Sequence, residues 1–212
     1  AMGGVTSSLE EVCRQDIVIP CVPIGTFEKT LRSMKSLLGK HTLVVDVCSV
    51  KEYPVRLMRG ILPKTTEILA THPTFGPDSA AQTLKGHKIV LCKVRTSLRR
   101  YAQIKNFLKG KGLEVVEMSP KAHDREMAAT LVLTHFIGRS LIYSGARRRT
   151  IETEGYKRLM HILQTVQNDS WELFEDMNKY NAFAKKIRGS FIRSMKAIDR
   201  NLGLFSSGQT GR

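Results

Sequence analysis

The 212-residue sequence contains no long apolar run. A helix that crosses a bilayer needs about 20 consecutive apolar residues, so the sequence predicts no membrane span. No signal peptide is visible either. Both absences favour a cytoplasmic protein with no membrane partner, and the 42% hydrophobic content is sufficient for a sizeable core.

Cysteine is scarce, and the four cysteines, Cys13, Cys21, Cys48 and Cys92, show no CxxC spacing. Three of them lie in apolar, strand-like runs, which predicts buried free thiols and neither a disulfide framework nor a zinc site. His72 and His135 do not form a metal pair, because no carboxylate or cysteine cluster completes a ligand set. The sequence therefore predicts no metal.

Acidic residues are few: 19 Asp and Glu face 34 Lys and Arg, for a formal net charge of +15. Such an excess suggests a polyanion as partner. However, the excess is divided almost evenly between residues 1–120 and 121–212, and the densest basic runs are short and lack interleaved aromatic residues. We expect solvated basic faces, no specific nucleic-acid partner, and any residual DNA binding to be steeply salt-dependent.

Residues 1–120 alternate short apolar runs with helical patterns. The predicted strands are Asp16–Pro23, Thr42–Val47, Glu67–Thr71, Lys88–Leu91 and Glu114–Glu117. This alternation predicts a largely parallel sheet with helices on both faces. After Ser119-Pro120, a suitable N-cap and first helical residue, only helical patterns occur. We therefore predict an α/β domain over 1–120, a helical domain over 121–205 and a flexible tail over 206–212.

The GxGxxG turn that opens a doubly wound nucleotide-binding fold is absent from the sequence. The α/β part is therefore predicted to be an incomplete, truncated Rossmann-like sheet. In the usual strand order, the missing strands would flank residues 17–22, which would then form an exposed apolar edge. We expect self-pairing, a rearranged terminus or a partner to cover this edge, unless the chain is part of a longer gene product.

The stretch "ATHPTFGPDSA" at 70–80 ends a buried strand on an imidazole. Residues alone leave two interpretations open: His72 caps the strand while the prolines shape a turn, or the strand end presents a base to a substrate. Ser49, in "CSVK", is similarly either an ordinary helix N-cap or a member of a site.

Five stretches occur in the order and spacing of one known family. They are "DIVIPCVPI" at 16–24, "VVDVCSVKEYP" at 44–54, "THPTFGPDSA" at 71–80, "EMSPKAHDREMAA" at 117–129 and "LTHFIGRSL" at 133–141. Over residues 8–185 the chain resembles the prephenate/arogenate dehydrogenases of tyrosine biosynthesis, and "TEGYKRLMHILQTVQNDSWELFEDMNKYN" at 153–181 resembles the plant-type arogenate enzymes in particular. The resemblance implies an oxidoreductase that uses NAD or NADP for the oxidative decarboxylation of arogenate or prephenate.

The resemblance also implies roles for particular residues. His72 matches the catalytic histidine, which accepts the proton of the substrate's ring hydroxyl, and Ser49 matches a serine that bonds near the histidine, the hydroxyl and the nicotinamide. The implied cofactor contacts are Cys21, Val22, Pro23 and Lys51. The implied substrate contacts are His135, Thr74 and Arg139. Gly76 and Pro77 are expected to shape the loop after His72, and His123-Asp124 to belong to the helix start and domain junction.

One departure bears on the substrate. Bacterial prephenate enzymes carry a carboxylate-gripping arginine at the position that aligns with Thr165, and a hydroxyl cannot replace a bidentate guanidinium. This favours arogenate, with Arg139 or the 147–149 arginines as substitute cations. The resemblance further implies a homodimer through the helical domain. Because GxGxxG is missing, activity is expected to be impaired. The alternative function is therefore that of a non-catalytic binding or regulatory protein.

Overall fold

The computed structural model describes residues 4–76 and 79–207. The chain forms two compact units, the first ending at Met127 and the second beginning at Ala128. The boundary predicted at residue 120 thus falls one helix earlier than the division in the structure, because the helix that starts at Pro120 packs against a helix of the first unit.

The first unit is a five-stranded sheet with helices. Its strands, β1 (Ile17–Val18), β2 (Leu43–Asp46), β3 (Glu67–Pro73), β4 (Lys88–Arg95) and β5 (Glu114–Glu117), lie side by side in that order. Its helices are α1 (Leu9–Cys13), α2 (Ile24–Met34), α3 (Glu52–Ile61), α4 (Leu98–Gly110) and α5 (Pro120–Met127). All pairings are parallel except that of β3 with β4. The predicted α/β class and largely parallel sheet are confirmed.

Side chains along the central strands point alternately to the two faces of the sheet. Leu43 and Leu69 pack with Tyr101 and Ile104 of α4 on one face of the sheet. Successive residues of a strand point to opposite faces, so His72 lies on the other face, where α3 contacts β3.

The first strand is shorter than predicted. The structure has a strand only at Ile17–Val18, at the edge of the described sheet, where the sequence predicted Asp16–Pro23. Val18 is buried, but Ile17 is 47% exposed and Ile19 is 50% exposed. Two apolar side chains are thus exposed at this edge of the described sheet, and an exposed edge over residues 17–22, with whatever covers it, stays a prediction.

The second unit is helical throughout its described part. A π-helical segment (Ala128–Val132) precedes α6 (Leu133–Tyr143), α7 (Glu154–Gln167), α8 (Trp171–Tyr180) and α9 (Ala184–Ser207). Val132, Met177 and Ala184 form the centre of its core. Helix α9 includes the first two residues of the predicted tail, and residues 208–212 lie outside the described residues. No helix in the described ranges combines the length and the hydropathy that crossing a bilayer requires.

Candidate active site in the α/β unit

His72 lies inside a strand, next to its carboxyl end. β3 runs to Pro73, two residues beyond the predicted end at Thr71, and His72 is opposite Val90 of β4. The side chain is held in the sheet with only 7% of the residue exposed. His72 is thus a fixed group at the carboxyl edge of the parallel β1–β2–β3 part of the sheet, where open α/β sheets bind their ligands.

A second histidine contacts His72 directly. Nδ1 of His72 lies 2.8 Å from Nε2 of His123, and the two rings meet edge to face with centroids 5.0 Å apart. The other ring nitrogen of His123, Nδ1, lies 2.8 Å from Oδ1 of Asp124. Both His123 and Asp124 are fully buried. Three side chains therefore form one hydrogen-bonded line within the α/β unit.

The Asp124 carboxylate is anchored at the start of α3. The backbone amide of Lys51 donates to Oδ1 at 2.7 Å, and that of Glu52 donates to Oδ2 at 2.9 Å. These amides would otherwise lack partners, because the first amides of a helix have no acceptor within it. A carboxylate from α5 thus caps α3, and its negative charge is favoured by the helix N-terminus.

Lys51 has a different role from the predicted one. Its side chain is fully buried, and its ammonium donates to the Asp46 carboxylate and to the Thr71 carbonyl. The Thr71 hydroxyl in turn donates to the Asp46 carbonyl at 2.7 Å. Because the ammonium is used inside the protein, the predicted contact of Lys51 with a cofactor is withdrawn, and Lys51 is assigned to tying β2 to β3.

Burial controls the protonation of this cluster. Desolvation, with smaller contributions from His123 and Lys51, lowers the pKa of His72 to about 3. The imidazole is therefore neutral near pH 7, the form in which it can accept a proton. Burial also raises the pKa of the Asp46 carboxyl, an effect that the Lys51 ammonium opposes.

Ser49 carries an unsatisfied hydroxyl. It follows β2 by three residues, and its Oγ is buried without a hydrogen-bond partner among the described residues. Buried hydroxyls in proteins nearly always have a partner, so this oxygen is available to a ligand. Such an orphaned donor is what the implied serine contact to hydroxyl and nicotinamide requires.

The remaining predicted residues of this unit lie on or near the surface. Cys21 and Pro23 are exposed and Val22 is half-buried, in the segment between β1 and α2. Thr74 is exposed, and its hydroxyl donates to the Lys88 carbonyl at 3.0 Å. Gly76 has open space around it, whereas Pro77 lies outside the described residues.

In the helical unit, His135 is buried at 4% exposure, and its Nε2 lies 3.4 Å from Oδ2 of Asp169. Its Nδ1 has no partner among the described residues. Burial lowers the pKa of His135, an effect that Asp169 opposes. The imidazole thus keeps one free nitrogen, and its contact with substrate stays a prediction.

Arg139 is occupied within the same unit. Its guanidinium donates to the carbonyls of Asp169 and Ser170 and lies over the Trp171 ring, 5.4 Å from the centroid. This packing holds the guanidinium in place, so the predicted grip of Arg139 on a substrate carboxylate has no support in its contacts. The hydroxyl of Thr165 donates to the His161 carbonyl at 2.9 Å, one turn earlier in α7.

Sequence reasoning missed the part that His123 and Asp124 play. They do lie in α5, near its start, as expected, but their contact with His72 joins residues 51 positions apart. The available signal was the adjacent imidazole and carboxylate in "AHD", inside one of the stretches that carried the family resemblance. No group of three or more His, Cys, Asp or Glu in the described ranges could hold a metal ion.

The fold and site define a class of protein: a Rossmann-like α/β unit with a buried neutral histidine at the carboxyl edge of its sheet, followed by a helical unit. Residues 3–117 match the family model described as "Prephenate dehydrogenase, nucleotide-binding domain", and residues 143–208 match "TYRAAT1-like, C-terminal domain". The first match covers more than half of the chain. The chain therefore belongs to the prephenate dehydrogenase family.

Individual relatives agree with this assignment. Arogenate dehydrogenase 2, chloroplastic, of Arabidopsis thaliana is 38% identical over 179 residues, which are 81% of this chain and 50% of that protein. The chain thus spans about half the length of this relative. Prephenate dehydrogenase from Aquifex aeolicus, crystallised with hydroxyphenyl propionate and NAD+, has the same fold with a TM-score of 0.72 at 21% identity, covering 96% of this chain and 75% of that one. Synechocystis arogenate dehydrogenase gives a TM-score of 0.64, also at 21% identity, with 96% and 76% covered.

Proposed function

We propose that this chain acts in the NAD(P)-dependent oxidative decarboxylation of arogenate to tyrosine, with His72 as the base. Family membership and the 38% identity to a plant arogenate dehydrogenase support the reaction type. The observation that carries the role of His72 is its hydrogen bonding. Nδ1 is engaged with His123, so Nε2 is the ring nitrogen left to face a substrate.

In this reaction the ring carbon that bears the hydroxyl loses a hydride, the hydroxyl gives up its proton, and the ring carboxylate leaves as CO₂. The electron pair of the broken carbon–carbon bond completes the aromatic ring as a phenolate, which takes back a proton to give tyrosine. A bound nicotinamide supplies the hydride acceptor. His72 accepts the hydroxyl proton, a contribution typical of general bases at about 10²–10⁴-fold in rate. Its neutrality near pH 7, which follows from a pKa lowered to about 3, keeps the accepting lone pair available.

Two segments would contact the cofactor: the one that contains Ser49 and the one that contains Cys21. The buried Ser49 hydroxyl lacks an internal partner, which fits a hydrogen bond to a ligand. Cys21 is exposed just after β1, at the same carboxyl edge as His72, where a planar ring could lie against the backbone. The sequence contains no GxGxxG, so the pyrophosphate contacts of this turn are outside the proposal. Whether NAD or NADP is used stays open to measurement.

Arogenate is proposed over prephenate because Thr165 stands at the position where the bacterial prephenate enzymes carry an arginine. The Thr165 hydroxyl donates within its own helix, and the Arg139 guanidinium is held by two carbonyls and an aromatic ring. Thr165 offers no guanidinium of the kind that grips a substrate carboxylate with two hydrogen bonds in the bacterial prephenate enzymes. The proposal therefore predicts a higher kcat/KM for arogenate than for prephenate.

The test is an assay of NAD(P)H and tyrosine formation by the purified chain from each substrate with each cofactor. Turnover of arogenate that His72→Asn lowers by about 10²-fold or more supports the proposal. Turnover that survives His72→Asn contradicts the role of His72. No turnover, together with no NAD+ or NADP+ binding at millimolar concentration by calorimetry, contradicts the enzymatic proposal and favours a binding or regulatory protein.

The homodimer of the proposal uses the helical unit. Ile192, Met195 and Ile198 recur at helical spacing along α9 and are 38%, 56% and 61% exposed. An apolar stripe of this kind on a long helix is typical of a surface that another helix covers. Analytical ultracentrifugation should give a dimer that Met195→Lys with Ile198→Lys dissociates. A monomer at high concentration in the unsubstituted chain would contradict this assembly.

A further inference from the structure

The direction of each hydrogen bond in the line from Asp124 to His72 follows from the groups that surround the carboxylate. Asp124 accepts the amide hydrogens of Lys51 and Glu52 at the start of α3. Two amides already donate to its two oxygens at the N-terminus of a helix, and we assign the carboxylate as the acceptor in its contact with His123 as well. Nδ1 of His123, 2.8 Å from Oδ1, must therefore carry a hydrogen.

The donor and acceptor roles continue from His123 to His72. An imidazole that carries its single hydrogen on Nδ1 has a lone pair on Nε2. In His123 that nitrogen faces Nδ1 of His72 at 2.8 Å. Nδ1 of His72 is then the donor, which leaves the lone pair of His72 on Nε2.

We propose that Asp124 and His123 are positioning residues that hold His72 in its Nδ1–H tautomer, so that Nε2 accepts the substrate proton. The inference rests on the proposed function, in which His72 is the base. In the proton transfer the substrate O–H bond breaks, its electron pair stays on the oxygen, and its proton forms a bond with Nε2. Neither His123 nor Asp124 touches the substrate; both act through His72.

The arrangement also offsets the charge that the transfer creates. Protonated His72 is a buried cation, and the Lys51 ammonium nearby opposes it. Lys51 is itself paired with Asp46. Asp124 is then the carboxylate that faces the new cation, through the ring of His123. Its removal should therefore weaken proton acceptance even where the fold survives.

The decisive variant is Asp124→Ala, which removes the oxygen that faces Nδ1 of His123. It also removes the acceptor of the Lys51 and Glu52 amides, so circular dichroism checks the fold of the variant. Without this acceptor, nothing holds the hydrogen of His123 on Nδ1, and Nε2 of that ring can donate as well as accept. His72 should then also lose its single tautomer, and its Nε2 is no longer held as an acceptor.

The measurement is the tautomer of each histidine ring by ¹⁵N–¹H correlation NMR on the full chain near pH 7. We expect Nδ1–H for both His72 and His123 in the unsubstituted chain and a mixture of tautomers for both rings in Asp124→Ala. Where turnover is measurable, kcat of Asp124→Ala should fall by roughly 10²–10⁴-fold with little change in KM. The matched control is Asp176→Ala, at another largely buried aspartate in the helical unit, which should change neither tautomer.

Each outcome separates this inference from the proposed function. A His72 hydrogen on Nε2 in the unsubstituted chain overturns the inference, as do tautomers that Asp124→Ala leaves unchanged. Both results are independent of turnover, whereas the role of His72 as base is judged by His72→Asn. If Asp124→Ala does not fold, the question is decided by the tautomers of the unsubstituted chain and of His123→Phe, which has no acceptor and in which His72 should lose its single tautomer.

Discussion

The ammonium of Lys51 is paired with the carboxylate of Asp46, and both side chains are fully buried in the α/β unit. Asp46 ends β2, and the same ammonium bonds the carbonyl of Thr71, the residue before His72 in β3. The pair therefore links the ends of two parallel strands next to His72, the proposed base. The free energy that this pair contributes to folding determines how firmly the backbone at His72 is held.

Lys51→Met should be strongly destabilising. The substitution leaves the Asp46 carboxylate buried without its counter-charge, a change that typically costs about 3–5 kcal/mol. Urea unfolding followed by circular dichroism measures the loss. The matched control is Lys157→Met, whose partner Glu154 is 78% exposed in its side chain, so this pair should contribute less than about 1 kcal/mol.

The double variant tests the electrostatic cause. Lys51→Met combined with Asp46→Leu removes both charges, and stability should recover in large part, because replacing a buried ion pair by apolar residues is often neutral. If the double variant is as unstable as the sum of the two single variants, the loss comes from packing and from the Thr71 contact, and the charge explanation is wrong.

The pH dependence of stability should report the burial of His72. Its pKa is lowered from 6.5 to about 3. Between these values the unfolded chain binds a proton at this ring that the folded chain does not, so stability rises with pH across the window. This contribution is complete above about pH 6.5 and is lost on acidification, by at most about 1.4 kcal/mol per pH unit.

His72→Gln removes this titration while leaving the other acid-range groups in place. The free energy of unfolding of the variant should therefore fall less steeply than that of the unsubstituted chain between pH 6.5 and pH 4. Denaturant titrations at several pH values give both slopes. Equal slopes in the two chains would show that His72 is not buried in its neutral form.

The fold was largely predictable because local patterns determine it. The predicted strand Thr42–Val47 extends one residue beyond β2 at each end, and the predicted strand Glu114–Glu117 coincides with β5. β1 was overestimated because residues 19–23 are apolar or proline, yet only Ile17 and Val18 pair with β2. Apolar composition shows what can be buried, but pairing depends on a neighbouring strand that composition does not reveal.

The candidate site could be derived from the sequence only where one residue carried the signal. His72 and Ser49 were identified from the motifs that surround them, the Ser49 hydroxyl has no partner among the described residues, and the roles of both stay a proposal. Lys51 was predicted to contact the cofactor because a charged residue in a motif suggests a ligand. Its ammonium is instead bonded to Asp46, five residues earlier in the chain. The contact of His72 on β3 with His123 on α5 joins residues 51 positions apart, and no local sequence pattern encodes it.

Thiol labelling should separate one cysteine from the other three. Cys21 is exposed, whereas Cys13, Cys48 and Cys92 are buried. Burial raises the pKa of Cys48 to about 12 and that of Cys92 to about 11, so neither forms the reactive thiolate near pH 8. A disulfide reagent should therefore modify one thiol quickly in the native chain and all four after unfolding.

The same reaction tests the proposed cofactor contact. If NAD+ or NADP+ lies against residues 21–23, saturating cofactor should slow the labelling of Cys21, and mass spectrometry of the labelled peptide identifies the site. Adenosine at the same concentration is the control, because it lacks the nicotinamide. Labelling that is equally fast with and without cofactor, under conditions where calorimetry shows binding, would place the cofactor elsewhere.

Gly138 should not tolerate a methyl group. It lies on α6, where a Cβ would approach Cγ2 of Val166 on α7 to 2.5 Å, well inside van der Waals contact. Gly138→Ala should therefore force α6 and α7 apart and destabilise the helical unit by about 1–3 kcal/mol. Gly189→Ala on α9 is the control: its nearest neighbour is the end of the flexible Arg193 side chain at 3.4 Å. Helix propensity alone should make this variant more stable, by about 0.5–1 kcal/mol.

Thermal unfolding of both variants gives the comparison, and a compensating substitution identifies the cause. Val166→Ala removes the two methyl groups that the new Cβ would meet, so Gly138→Ala should be less destabilising in that background than in the unsubstituted chain. If the two substitutions are additive, the loss does not arise from this contact. If Gly138→Ala is as stable as Gly189→Ala, the close approach of α6 to α7 at this position is wrong.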